Sequence, residues 1–170
     1  MGREVRRVPK NWKHPKKNGV YTPLHEGFAK QLQHWETGKE KWDLGFVDDY
    51  HDGWKPRDTS PDMTFEEWDG KKPKKGAYMP DFPPEQKTHY QMYETCTEGT
   101  PLSPVMETPE ELAHWLEDNS ASAFGEQTAS YEQWLNTINS GGAPSFYITK
   151  KCGIISGVEA MERFKKENKP

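Results

Sequence analysis

His89 to Leu116 runs HYQMYETCTEGTPLSPVMETPEELAHWL, and two kinds of secondary structure meet inside it. Its first part, His89 to Cys96, carries Tyr90, Tyr93 and Thr95, residue types that suit a pleated, half-buried strand. Gly99, Pro101 and Pro104 punctuate the next stretch, so a turn and a second short extended piece are expected there. Thr108-Pro109-Glu110-Glu111 then opens a helix, with Thr at the cap, Pro at the first helical position and Glu at the third. Leu112, Trp115 and Leu116 supply its buried stripe. A strand, a turn and a helix in so short a span predict an α+β chain: short helices packed on a small, mainly antiparallel sheet, with much loop.

Toward the C-terminus the same signals recur. Ser130 to Asn139 places Tyr131, Trp134, Leu135 and Ile138 on one helical face, and Gly141-Gly142 stops it. Phe146 to Thr149 and Cys152 to Ile155 read as a hairpin-like pair, after which Ser156 and Glu159 form a capping box for a last helix carrying Val158, Met161 and Phe164. Toward the N-terminus, Thr22, Pro23, Leu24, Phe28, Leu32 and Trp35 predict a helix ending near Gly38. Residues 39–62 hold no steady period and are expected as a loop pinned by Trp42, Phe46, Tyr50 and Trp54. Thr64 and Glu67 form a capping box that presents Phe65 and Trp68, and the GKKPKKG stretch at 70–76 reads as an exposed loop. The first twenty residues alternate basic groups with Pro9, Pro15 and Gly19, a pattern that opposes a helix. They are expected as an extended basic arm over 1–20, with Val5, Val8 and Trp12 as anchors, ahead of a single globular domain over 21–170.

Only 32% of the 170 residues are hydrophobic and 29% are charged, so the core must be small; 12% aromatics let large rings fill it where aliphatic residues are scarce. No apolar run is long enough to span a bilayer and the basic N-terminus lacks an apolar stretch behind it, which predicts a cytoplasmic protein with no membrane partner. Cys96 and Cys152 show no CxxC or Cys/His spacing and read as plain thiols. GxSxG, GxxxxGK[ST], GxGxxG and HExxH are all absent, so no catalytic residue, metal or cofactor is assigned.

Charge is distributed unevenly. Arg3, Arg6, Arg7, Lys10, Lys13, Lys16 and Lys17 face Glu4 alone within residues 1–17, whereas Thr88 to Thr149 contains nine carboxylates and no Lys or Arg. This asymmetry defines two candidate binding segments. One is acidic: Glu94, Glu98, Glu107, Glu110, Glu111, Glu117 and Asp118, continued by Glu126 and Glu132, which as one surface would steer a basic partner. The other is basic: Arg3, Arg6, Arg7, Lys10 and Lys13 with Trp12, able to contact phosphates and stack a base. The plainer account of the first is a set of solvated or helix-favouring carboxylates, and of the second an arm lying on the protein's own acidic surface.

Gly2-Arg-Glu-Val-Arg-Arg-Val-Pro9, Tyr93-Glu-Thr-Cys-Thr-Glu-Gly-Thr-Pro-Leu-Ser-Pro104 running into Thr108-Pro-Glu-Glu-Leu112, Tyr131-Glu-Gln-Trp-Leu135 and Ser156-Gly-Val-Glu159 together resemble a family of phage- and prophage-encoded proteins. Longer members of that family carry cysteine-rich, zinc-ribbon-like insertions between the opening and middle segments, and this chain has none there. The resemblance implies a phage accessory protein in the cytoplasm of a bacterial host, a class in which inhibition of host defence is common. The expected function is therefore binding to a host protein or defence complex through the acidic segment. The alternatives are a nucleic-acid-associated protein working through the basic arm, and a small-molecule-binding protein or enzyme. For the last, Asp48-Asp49-Tyr50-His51-Asp52 offers metal-ligand types in one loop, and Cys96 or Cys152 with His89 or His114 offers a dispersed nucleophile and base; neither has a matching local signature.

Overall fold

The computed structural model describes residues 2–49, 53–57, 63–95, 99–149 and 153–167. In chain order its strands are β1 (Arg3–Val8), β2 (Lys16–Lys17), β3 (Val20–Tyr21), β4 (Phe46–Asp48), β5 (Trp54–Pro56), β6 (His89–Glu94), β7 (Thr100–Pro101), β8 (Gly142–Ala143), β9 (Phe146–Thr149) and β10 (Gly153–Ser156). Its helices are α1 (Phe28–Asp43), α2 (Phe65–Asp69), α3 (Pro109–Asp118), α4 (Tyr131–Asn139) and α5 (Gly157–Glu167). This is the α+β arrangement expected from the sequence. The chain forms two compact units, one from Met1–Pro23 with Pro80–Pro170 and one from Leu24–Met79.

The first unit is built on a four-stranded sheet of order β7-β6-β1-β8, with every neighbouring pair antiparallel. Here the N-terminal segment differs from the expected arm. Arg3–Val8 is extended, but it is an inner strand, paired along its whole length with β6. Side chains alternate across a strand, so Arg3, Val5 and Arg7 share one face with Glu94, Met92 and Tyr90, while Glu4, Arg6 and Val8 share the other with Tyr93, Gln91 and His89. The first face carries the core: Met92, Leu112, Leu116, Trp134 and Val158 are all shielded from solvent there, with Ile138 beside them. The charges of β1 are tolerated because each buried one has partners. Arg3, 1% exposed, donates from Nε to the Ser122 carbonyl at 2.8 Å, from Nη2 to Ser122 Oγ at 3.2 Å and from Nη1 to the Gly2 carbonyl at 3.1 Å, and pairs with Glu94 Oε1 at 3.4 Å.

The helix starts follow their caps. Thr108 Oγ1 accepts from the Glu111 N–H, and Ser130 and Gln133 complete a capping box at α4. Ser156 Oγ accepts from the Glu159 N–H at 3.0 Å. β9 and β10 pair as the expected hairpin.

In the second unit Trp35, Trp42 and Phe65 form a separate aromatic core. α1 starts at Phe28, after Gly27 in a left-handed conformation, and not at the Thr22-Pro23 signal, because Thr22 belongs to the β2–β3 hairpin region, where its N–H donates to the Pro15 carbonyl. The helix also runs past Gly38 to Asp43. Gly38 does not end it; a Cβ there would come within 2.9 Å of Phe65 Cζ, so its missing side chain makes room for the ring. Part of the expected loop 39–62 is thus helix, and part is the β4–β5 hairpin. α2 begins at the Thr64–Glu67 capping box as expected.

Candidate functional site

α3 turns the acidic segment into a surface. At 3.6 residues per turn, Glu110, Glu111, His114, Glu117 and Asp118 fall within an arc of about 120°, and all five are exposed. Leu112, Ala113 and Leu116 fall on the opposite side and are buried. Hydrophobic burial of that side fixes the helix rotation and therefore aims the carboxylates outward. Two further contacts extend the face. Glu107 joins it at the helix start, where its N–H donates to Glu111 Oε2 at 3.1 Å. At the other end Glu117 Oε1 accepts from the Tyr131 N–H at 3.0 Å, and His114 stacks on the Tyr131 ring at 4.1 Å between centroids, which brings exposed Glu132 to the same region. Among the described residues none of Glu107, Glu110, Glu111, Glu117, Asp118 or Glu132 has an ion pair with Lys or Arg. Glu126 is exposed in the α3–α4 loop.

Glu94 leaves the acidic set: it is 7% exposed and holds Arg3 under the sheet. Glu98 lies outside the described residues, as do Cys96, Cys152 and Tyr50 to Asp52. Asp49 pairs with Lys55 across the β4–β5 hairpin. Among the described residues no three His, Cys, Asp or Glu side chains gather to hold a metal ion.

The basic segment divides. Arg3 and Arg6 are buried and cannot meet a partner: the Arg6 guanidinium lies 4.4 Å over the Tyr93 ring and donates to Glu4 Oε2 from Nε at 3.2 Å and Nη2 at 3.0 Å. Arg7 is exposed and lies over Tyr90. Lys10 and Lys13 are exposed, as are Lys16 and Lys17, and none of the four pairs with a carboxylate among the described residues.

Residues 9–23 fold over the second face of the sheet and enclose a polar network that sequence reasoning missed. The Tyr93 hydroxyl accepts from Trp12 Nε1–H at 3.1 Å and donates to Gln91 Oε1 at 2.8 Å, and Gln91 Nε2 donates to the Ser103 carbonyl at 2.8 Å. His14, 7% exposed, donates from Nε2 to the Thr22 carbonyl at 2.6 Å and sets Nδ1 at 3.3 Å from the Tyr93 oxygen. Burial holds the His14 imidazole below its ordinary value of 6.5; the Thr22 carbonyl opposes that shift and the Arg6 charge adds to it. Above the network lies an open cleft of about 500 Å³ lined by Trp12, Lys13, His14, Lys16, Tyr21, Gln91, Pro104 and Val105. The alternation Trp12/His14 against Gln91/Tyr93 is the available signal, hidden because 1–20 reads as an arm.

Scans against family models, curated proteins and solved structures match nothing to this chain. Geometry therefore decides the chemistry. The aromatic crevice of the second unit, lined in part by Trp42, Trp54, Phe65 and Trp68, holds about 20 Å³ among the described residues, room for one water. Among the described residues the acidic face and the basic cleft are the two candidate surfaces, one by its charge and the other by its shape.

Proposed function

We propose that this chain is a non-enzymatic phage accessory protein that binds a basic partner protein through the α3 face. The observation that supports the reading is the gathering of Glu110, Glu111, Glu117 and Asp118 on one exposed side of α3, with Glu107 just ahead of its cap, without Lys or Arg partners among the described residues. A single exposed ion pair contributes little, about 0–1 kcal/mol. A row of unpaired like charges on a rigid helix instead raises the encounter rate with a cationic groove and rejects acidic partners. The partner class is a protein whose Lys and Arg ordinarily hold phosphates, a host defence nuclease complex being the specific case, and the mode is occlusion of that groove.

The test compares tagged wild-type chain with the Glu107→Lys, Glu110→Lys, Glu111→Lys, Glu117→Lys variant in affinity capture from a bacterial host lysate treated with nuclease. One stoichiometric basic protein on the wild type and its loss from the variant are expected. Equal recovery on both, no recovery on either, or recovery that vanishes with nuclease rejects the reading.

A further inference from the structure

The cleft over residues 9–23 has a composition unlike the rest of the first unit. Its walls are flat or apolar: Trp12, Tyr21, Pro104 and Val105. Its floor is polar, formed by His14 and Gln91, and both are held in place by the Tyr93, Thr22 and Ser103 hydrogen bonds. Lys13 and Lys16 are its cations, and Lys10 and Lys17 continue the charge along the same segment. Lys16 is exposed and its ammonium sits 4.2 Å over the Tyr21 ring, beside the cleft. Among the described residues no carboxylate lines the cleft, although residues 88–149 of the same unit carry nine carboxylates and no Lys or Arg.

A hollow of about 500 Å³ lies in the range of small-ligand sites. Cations at the mouth select an anion. Aromatic and proline walls select a planar body attached to it, since every base offers a face for stacking on such surfaces. A bare inorganic anion would leave the apolar walls unused, and an apolar ligand would leave the lysines unused. We infer that the cleft is a nucleoside-phosphate site, with the base against Trp12 and Tyr21 and the phosphate held by Lys13 and Lys16. The nucleotide is either free or part of a single strand, and the two sources share this chemistry. The site is separate from the α3 face, so each can fail without the other.

The test uses the full chain with two probes at low salt, adenosine 5′-monophosphate and a fluorescein-labelled single-stranded oligothymidylate of about 12 nucleotides. Binding of either is expected to shift the Trp12 indole N–H and His14 Cε1–H resonances. Lys13→Glu with Lys16→Glu, both exposed positions, is expected to weaken it about tenfold or more. For the oligonucleotide, the double variant should also flatten the log Kd against log salt slope by about 1.4, which is 0.7 for each phosphate no longer neutralised. Saturable binding of the monophosphate with no gain from the oligonucleotide assigns the site to a free nucleotide; an oligonucleotide bound about a hundredfold more tightly assigns it to a strand. Absence of binding by both probes overturns the proposal, and so does binding that the lysine variant leaves unchanged. Lys71→Glu with Lys74→Glu, exposed positions of the second unit with the same change of charge, serves as the control that keeps the site intact.

Discussion

Arg3 shows how a charged residue can be a core residue. Its guanidinium is closed off from water and satisfied by two carbonyls, one hydroxyl and the Glu94 carboxylate. Removing one partner of such a group strands the other, so Arg3→Ala is expected to cost about 3 kcal/mol in urea unfolding. Arg7→Ala, at an exposed position of the same strand, should cost less than about 1 kcal/mol. His14 gives the chain a pH dependence of definite sign. Its folded value lies below the ordinary 6.5, so an unfolded chain takes up a proton that the folded one refuses. The stability it contributes is complete above 6.5 and is lost as pH falls through the lowered folded value. The urea midpoint should therefore drop on acidification across that window, and His14→Gln should remove part of the drop; equal pH slopes in the two proteins would contradict this assignment. None of these roles is legible from composition. An arginine with buried partners and an arginine in solvent look alike in a sequence, and Glu94 and Ser122 lie 91 and 119 positions from Arg3.

Elements are legible where a local rule sets them. The Thr64, Thr108, Ser130 and Ser156 caps each sit within three residues of the group they satisfy, and all four helices start where those residues place them. β6 and the β9–β10 hairpin are equally readable from their aromatic and β-branched residues. β1 is not. Arg3, Glu4, Arg6 and Arg7 resemble a solvated arm until the cross-strand neighbours Glu94, Tyr93 and Tyr90 are known. α1 departs from expectation at both ends: Thr22 serves the β2–β3 hairpin region in place of a cap, and Gly38 reads as a stop although its contact with Phe65 makes it a packing position. Gly157 is a second such position, at the start of α5: a Cβ there would overlap the Pro144 carbonyl, and backbone cannot swing aside as a side chain can. Gly157→Ala is expected to cost about 3 kcal/mol or more, read by thermal or urea unfolding. An unchanged midpoint would mean that the 144–157 contact is not formed as described.

At the level of the whole molecule the two units differ in what fills them: Trp35, Trp42 and Phe65 in one, and a mixed core around Met92, Leu112 and Trp134 in the other. The described residues contain no helix long and apolar enough to cross a membrane. The charge asymmetry of the sequence becomes two surfaces of the first unit, but not with the membership the sequence suggests. Burial removes Arg3, Arg6 and Glu94, and rotation of α3 about its apolar side gathers Glu110, Glu111, Glu117 and Asp118. Helical spacing makes that gathering readable in advance; the folding of residues 9–23 over the sheet, which depends on Tyr93 and Gln91, is not. The most direct test of the binding account is zero-length carbodiimide cross-linking of the captured complex, which joins a carboxylate to a lysine in contact with it. Isopeptide links from Glu110, Glu111, Glu117 or Asp118 to lysines of the partner's phosphate-holding groove are the expected result. Links confined to other carboxylates, with α3 unmodified by the partner, would contradict it.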